Sequence, residues 1–243
     1  MHILVTRPDP DAQPLITALE ASGHQVSHIP LLNIKFINSV AIPDHKYQAV
    51  LITSANGARA LENSSNNIDL TNTKAITVGP ASAQAASQAG FTNIVQTKLG
   101  DVEGIIDYVN SHLTPNDGPL LYPSGTKTTG DLQLVLTKAG FKVERAIMYK
   151  AQRLEKLDAQ TIDLLQSGQI NSVLLFSPRT AKIWLSLTNG CIDKSRLAKL
   201  GHFCLSHNVA NVLVNALGND CDITICKKPD TQNMLASINA SNL

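Results

Sequence analysis

Val50-Leu51-Ile52-Thr53-Ser54 and Val173-Leu174-Leu175-Phe176-Ser177 are two copies of one pattern, a short apolar run that closes on a serine. In each copy an alanine follows four residues after the serine (Ala58, Ala181) and a large apolar residue three further on (Leu61, Trp184), so one offset of 123 covers the whole match. The run is too short for a helix and reads as a buried strand; the spacing after it reads as a helix. Similar runs stand at 3–5, 75–78, 119–121 and 203–205. Strands that alternate with helices predict βαβ units, parallel sheets and helices on both faces.

The repetition extends outward from that pair. Val78-Gly79-Pro80 with Ala83 and Gly90 matches Leu205-Ser206-His207 with Ala210 and Gly218 at offsets of 127 and 128. Asp101 with Ile105, Ile106 and Val109 matches Asp230 with Met234, Leu235 and Ile238 at 129. Small loop insertions account for the drift. The fourth match breaks the order: Leu4-Val5 with Leu19, Gly23 and Val26 matches Leu121-Tyr122 with Leu136, Gly140 and Val143 at 117. The reading is two similar doubly wound α/β domains, one circularly permuted. Residues 1–35 and 151–243 form a discontinuous domain, 38–148 an inserted one, and the chain crosses near 33–40 and 147–153. Ser54, Ser82, Asp101 and Ser177 are expected at helix starts, and Gly23, Gly90, Gly140 and Gly218 at helix ends in the left-handed conformation. The polar stretch 63–67 reads as a loop and 241–243 as a frayed end.

Composition narrows the classes. The 243 residues hold 20 Lys+Arg against 19 Asp+Glu, a net charge of +1, with 43% hydrophobic residues. That is too apolar for disorder and lacks the basic surplus of a nucleic-acid or anionic-membrane binder. The apolar run Ile3-Leu4-Val5 meets Arg7 almost at once, which fits a strand and not a secretory signal. Other runs fall far short of the ~18 residues of a membrane helix. A soluble, cytoplasmic protein is expected. Cys191, Cys204, Cys221 and Cys226 lack the paired spacing of a zinc site and read as small core residues.

The repeated feature with chemical content is a strand that ends on a small hydroxyl residue and enters a helix. Thr53-Ser54-Ala55, Gly79-Pro80-Ala81-Ser82, Ser177-Pro178-Arg179-Thr180, Tyr122-Pro123-Ser124-Gly125-Thr126 and Thr6-Arg7-Pro8 have this form. Such turns put backbone N–H groups at the positive end of a helix, where anions bind; a plain N-cap is the alternative for each one. Two domains facing one another would rim a cleft with these ends. Arg7 and Arg179 fit carboxylate contacts or surface ion pairs, and Lys127 has the same choice. Tyr149, at the second crossing, fits either an aromatic packed between domains or a phenol that donates its proton. His207 reads as a cap sooner than a base. Among these residues there is no Ser-His-Asp order, no paired carboxylate set and no G-x-S-x-G.

Taken in order, Leu4-Val5-Thr6-Arg7-Pro8, Ile29-Pro30-Leu31-Leu32, Ile52-Thr53-Ser54, Val78-Gly79-Pro80-Ala81-Ser82, Gly100-Asp101-Val102-Glu103-Gly104, Leu121-Tyr122-Pro123-Ser124-Gly125, Met148-Tyr149 and Phe176-Ser177-Pro178-Arg179-Thr180-Ala181 resemble the uroporphyrinogen-III synthase family. The resemblance spans nearly the whole chain. It implies two α/β domains joined by a two-stranded linker. It implies that hydroxymethylbilane, a linear tetrapyrrole with eight carboxylates, is cyclised with loss of water and inversion of its last ring. No metal or organic cofactor is implied. The partner is then a small polycarboxylate tetrapyrrole, with the preceding bilane-forming enzyme as a further one; nucleic acid and membrane are not partners. Tyr149 takes the place of a tyrosine favoured as general acid, and helix-end N–H groups grip the acetates and propionates. In place of the family's frequent Gly-Pro-Thr-Thr-Ala turn stands Ser206-His207-Asn208-Val209-Ala210, so Ser206 or Asn208 replaces the missing hydroxyls. Six arginines for eight carboxylates favour backbone donors over side chains. A non-catalytic carboxylate- or tetrapyrrole-binding protein with the same two domains is the alternative.

Overall fold

The computed structural model describes residues 1–44, 46–65, 68–128 and 130–241. Asn66 and Asn67 of the expected loop, and Asn242 and Leu243 of the expected frayed end, lie outside the described residues. The chain divides into two compact units, Met1–Asn33 with Gln152–Leu243, and Ile34–Ala151. β1 (His2–Val5), α1 (Gln13–Ala21) and β2 (Gln25–His28) open the chain, and β3 (Leu32–Phe36) leads into the inserted unit. There follow β4 (Ala49–Ile52), α2 (Ala55–Glu62), β5 (Lys74–Thr77), α3 (Pro80–Gln88), β6 (Ile94–Gln96), α4 (Val102–His112), β7 (Leu120–Gly125), α5 (Leu132–Lys138) and the long β8 (Val143–Arg153). The discontinuous unit resumes with α6 (Ala159–Ser167), β9 (Ser172–Leu175), α7 (Pro178–Thr188), α8 (Lys194–Lys199), β10 (Gly201–Cys204), α9 (His207–Leu217), β11 (Ile223–Ile225) and α10 (Thr231–Ala240).

The sheet orders are β11-β10-β9-β1-β2 in the discontinuous unit and β6-β5-β4-β7-β8-β3 in the inserted one. The pairs β2–β1–β9–β10–β11 and β8–β7–β4–β5–β6 are all parallel. Five strands therefore answer to five in the same spatial order, while the chain enters each sheet at a different strand. The β1-α1-β2 segment answers to β7-α5-β8, which is the match that broke the order in the sequence. β3 is the addition. Leu154 N–H donates to the Leu31 carbonyl at 3.0 Å and Ile37 N–H to the Met148 carbonyl at 2.8 Å. One residue number rises as the other falls, so the two crossing segments run antiparallel, as the two-stranded linker requires.

Both faces of each sheet are covered, so the central strands are mainly apolar, and β1, β4 and β9 are buried at every position, His2 and Ser172 at their starts included. Alternation divides them. Leu4, Val173 and Leu175 pack with Trp184 on one face. Ile3, Val5 and Leu174 pack with Leu19, Met234 and Ile238 on the other. In the inserted unit Val50, Ile52 and Leu121 face one cluster, and Leu51, Leu120 and Tyr122 the other. Equivalent positions of the repeat are buried alike: Leu19 and Leu136, Ile105 and Met234, Val109 and Ile238 are all fully enclosed.

Three expectations need correction. Ser82 does not start its helix: Gly79 is the N-cap of α3, because Pro80 takes the first helical position where its missing N–H costs nothing. Gly218 has positive φ, as Gly23, Gly90 and Gly140 do, but its ψ of 175° is extended and not left-handed helical. Cys191 is exposed, whereas Cys204, Cys221 and Cys226 are buried. Burial pushes the Cys204 thiol up to about 12, which leaves it unreactive.

Candidate functional site

Strand order reverses once in each sheet, between β1 and β9 and between β4 and β7. Ligands of open parallel sheets sit outside the strand ends at such a reversal. In the inserted unit that place is built from Thr53-Ser54 after β4, Gly125-Thr126-Lys127 at the end of β7, and Tyr149 of β8. Tyr149 is half-buried, and a methyl group on Gly125 would lie 2.7 Å from its ring. Burial raises the phenol above its ordinary value, and hydrogen bonding with the Ser54 side chain and the Gly125 backbone opposes the rise. The group is thus protonated at neutral pH and has a hydroxyl beside it. Tyr122 is buried next to it, and Thr53 Oγ1 lies 3.5 Å from the Tyr122 hydroxyl. A cavity of about 250 Å³ opens at the same strand ends, lined by Thr53, Val78, Gly100, Asp101, Val102, Glu103 and Gly130.

The reversal in the discontinuous unit is built differently. Thr6 is wholly buried and its hydroxyl donates to the Leu174 carbonyl across the β1–β9 gap, so it offers no free hydroxyl. Arg7 is half-buried; its guanidinium lies 5.3 Å from the Phe176 ring centre and donates to Thr231 Oγ1 at 3.2 Å. His28, at the end of β2, donates from Nε2 to the Arg7 carbonyl at 2.8 Å. Ser177 caps α7 in a closed box: its Oγ accepts from Thr180 N–H, and Thr180 Oγ1 accepts from Ser177 N–H. Pro178 and Arg179 are exposed on the first turn, and Thr180 is buried.

The helix ends fall into three kinds. α4, α6 and α10 are capped by their own carboxylates, Asp101, Asp158 and Asp230, at Gly104, Thr161 and Asn233 N–H. Those bonds hold the Asp230 carboxyl below its usual range. α2 and α7 are capped by the serines Ser54 and Ser177. α3 and α9 have no side-chain cap, and neither do α1, α5 and α8. An incoming carboxylate meets a like charge at the first kind and the fewest competitors at the third. The α3 and α9 ends carry exposed Pro80 and Ala81 with buried Ser82, and half-buried Ser206 with exposed Asn208.

Among the residues singled out in the sequence, Thr53, Ser54, Ala55, Gly125, Lys127 and Tyr149 cluster at the inserted unit's reversal, with Lys127 exposed. Ser124 does not present its hydroxyl: it is buried and accepts from Arg145 Nε at 2.8 Å. Arg145 and His28, which hold the two reversal turns, escaped the sequence reading. Among the described residues no group of three or more His, Cys, Asp or Glu gathers to hold a metal, and no helix is long and apolar enough to cross a membrane.

The family model described as "HEM4: Uroporphyrinogen-III synthase HemD" matches residues 13–236. No curated protein matches the chain. Among solved structures, uroporphyrinogen-III synthetase from Helicobacter pylori is similar at TM-score 0.67 and 15% identity, over 100% of this chain and 99% of that one. A mutant uroporphyrinogen III synthase from the extremely thermophilic bacterium Thermus thermophilus is similar at TM-score 0.56 and 12% identity, over 100% and 98%. At these identities the two structures speak for the fold, and the family model speaks for the family.

Proposed function

The chain belongs to the uroporphyrinogen-III synthase family, enzymes of tetrapyrrole and haem synthesis, and we propose that its own residues perform the cyclisation as a dehydration with Tyr149 as general acid. The single observation that carries the assignment is the protonated, half-buried Tyr149 phenol at the reversal of the inserted sheet, beside Ser54 and the Gly125 amide. Tyr149 protonates the departing hydroxyl of hydroxymethylbilane, the C–O bond breaks, and water leaves. The resulting cation is delocalised into its pyrrole and needs little covalent help. The last ring attacks through its substituted carbon to give a spiro centre. The bond from that carbon to its original bridging methylene then breaks, and the methylene bonds to the ring's free α-carbon. This closes the macrocycle with the ring inverted, and the proton lost from that α-carbon balances the one Tyr149 gave up. General acid catalysis supplies part of the rate and orientation of a flexible chain the rest.

Carboxylate binding falls to the uncapped ends of α3 and α9, with Arg7, Arg179 and Lys127 as side-chain donors. The absent caps support this: first-turn N–H groups of a helix want an acceptor, and at α3 and α9 the chain's own side chains supply none. Substrate here is a polyanion, so these ends and cations serve where overall charge, at +1, does not. The assignment is tested by supplying hydroxymethylbilane made in situ to the purified protein and separating the oxidised product isomers. Type III product above background is expected. Type I alone, at the spontaneous rate, rejects the enzyme and leaves a binding protein. Unchanged apparent affinity in Arg7→Ala and Arg179→Ala removes those two residues from the carboxylate set.

A further inference from the structure

We propose that Arg145 is a positioning residue: it braces the turn at the end of β7 on which the Tyr149 ring rests, and so fixes where that phenol points. The inference rests on the reading of Tyr149 as the acid. The geometry begins with a break in the β7–β8 ladder. Ser124 pairs with Ile147, but Gly125 pairs with Tyr149, so Met148 is bulged out of register. A bulge re-aims the side chain that follows it. Successive residues of a strand normally face opposite sides; here Met148 and Tyr149 pack against the same cluster. The ring of Tyr149 then lies against Gly125, where a Cβ would meet Cε2, Cζ and Cδ2 at 2.7, 3.1 and 3.3 Å. The Tyr149 carbonyl accepts from Thr126 N–H at 3.0 Å.

The ladder is weakest at such a break, and Arg145 spans it. Its Nε donates to Ser124 Oγ at 2.8 Å and its Nη2 to the Gly125 carbonyl at 2.9 Å. The fork is planar, so two bonds in one plane fix both acceptors at once, which a lysine does not do. The other unit repeats the arrangement. The offset of 117 carries Arg145 to His28, Tyr122 to Val5 and Ser124 to Arg7. Val5 pairs with His28 as Tyr122 pairs with Arg145. His28 donates to the Arg7 carbonyl at 2.8 Å. Different residues at one register position thus hold the reversal turn in both sheets, which marks the brace as a function of the scaffold and not an accident of one side chain.

The test is a double-mutant cycle on the full chain with Arg145→Gln and Tyr149→Phe. Arg145→Gln is expected to lower kcat about tenfold with KM unchanged, since a small misplacement of a reacting group is enough for that. In the Tyr149→Phe background the same change is expected to alter kcat less than about twofold, because the two residues act as one unit. An equal fall in both backgrounds, or no fall in the presence of Tyr149, overturns the proposal. If Tyr149→Phe alone keeps full turnover, the acid reading fails and a second readout decides the brace. The Tyr149 ring carbon resonance, assigned by its loss in Tyr149→Phe, is expected to move in Arg145→Gln and in Gly125→Ala. A resonance unmoved in both ends it. Ser124→Ala removes one of the two acceptors and serves in both arms should Arg145→Gln fail to fold.

Discussion

Ser54 and Ser177 hold equivalent positions at the starts of α2 and α7, yet only one of them is closed off. Three residues on, α7 has Thr180, whose hydroxyl completes a capping box and lies 3.0 Å from Ser177 Oγ. α2 has Gly57 there, with the Pro123 carbonyl 2.8 Å from where a Cβ would stand. No side chain fits, no box forms, and Ser54 Oγ caps only Asn56 N–H, at 3.2 Å. Its hydroxyl also serves the Tyr149 phenol. The other reversal has no counterpart of that phenol: an offset of 117 takes Tyr149 to Leu32. Duplication made two scaffolds with the same strand ends, and local side chains decide which of them holds an acid.

The largest effect that sharpens this contrast is on turnover. Tyr149→Phe keeps the ring and removes the proton, and is expected to lower kcat by about two to three orders of magnitude at nearly unchanged KM. Product assays on hydroxymethylbilane decide it, and turnover within about threefold of the parent removes the acid role. The next effect separates the units by stability. His202 is fully buried in β10, accepts from Trp184 Nε1 at 3.4 Å, and is pushed down to about 4 by burial. Protonation would set an N–H against the donor-only indole. Between pH 6.5 and about 4 the unfolded chain binds a proton that the folded unit refuses, so stability falls as pH drops through that window, by about 3 kcal/mol in all. The equivalent residue of the inserted unit, at an offset of 127, is Ala75. Trp184 is the sole tryptophan and sits in the discontinuous unit, so its fluorescence during urea unfolding reads that unit. His202→Gln is expected to flatten the dependence; a slope equal to the parent's assigns the acid loss elsewhere.

The sheet, its permutation and the serine and aspartate caps were legible because each rests on local chemistry: short apolar runs, constant offsets, and side-chain oxygens at helix starts. The burial of Thr6 and Ser124 hydroxyls was legible in principle. Thr6 shares a strand face with Leu4, and Ser124 with Tyr122 and Leu120, all buried, so alternation points both hydroxyls inward. The cap at Gly79 is legible in Pro80, whose place at the first helical position puts Ser82 inside the first turn. Arg145 was not legible. Nothing in Val143-Glu144-Arg145-Ala146 distinguishes a brace from a solvated arginine until the register with Tyr122 is known. The bulge at Met148 is likewise a property of pairing, with no mark in either strand alone.

Smaller effects test the two helix starts against each other. Gly57→Ala forces a methyl onto the Pro123 carbonyl and is expected to cost about 1–3 kcal/mol in the inserted unit, by denaturant melts; a neutral result means α2 can slide off β7.

The finest distinction lies among the caps of the discontinuous unit. Ser177→Ala breaks a box that satisfies two backbone N–H groups, and is expected to cost about 1 kcal/mol with turnover little changed. Ser206 makes no cap bond to α9, so Ser206→Ala is expected to change stability by only a few tenths of a kcal/mol. If the α9 start instead takes a substrate carboxylate, the Ser206 hydroxyl stands beside it and its loss raises KM while leaving the melt in place. The two serines then trade readouts: one moves the denaturation midpoint, the other the substrate dependence. Equal shifts in the melt would mean that Ser206 caps its helix after all, and the open end at α9 would no longer distinguish it from α7.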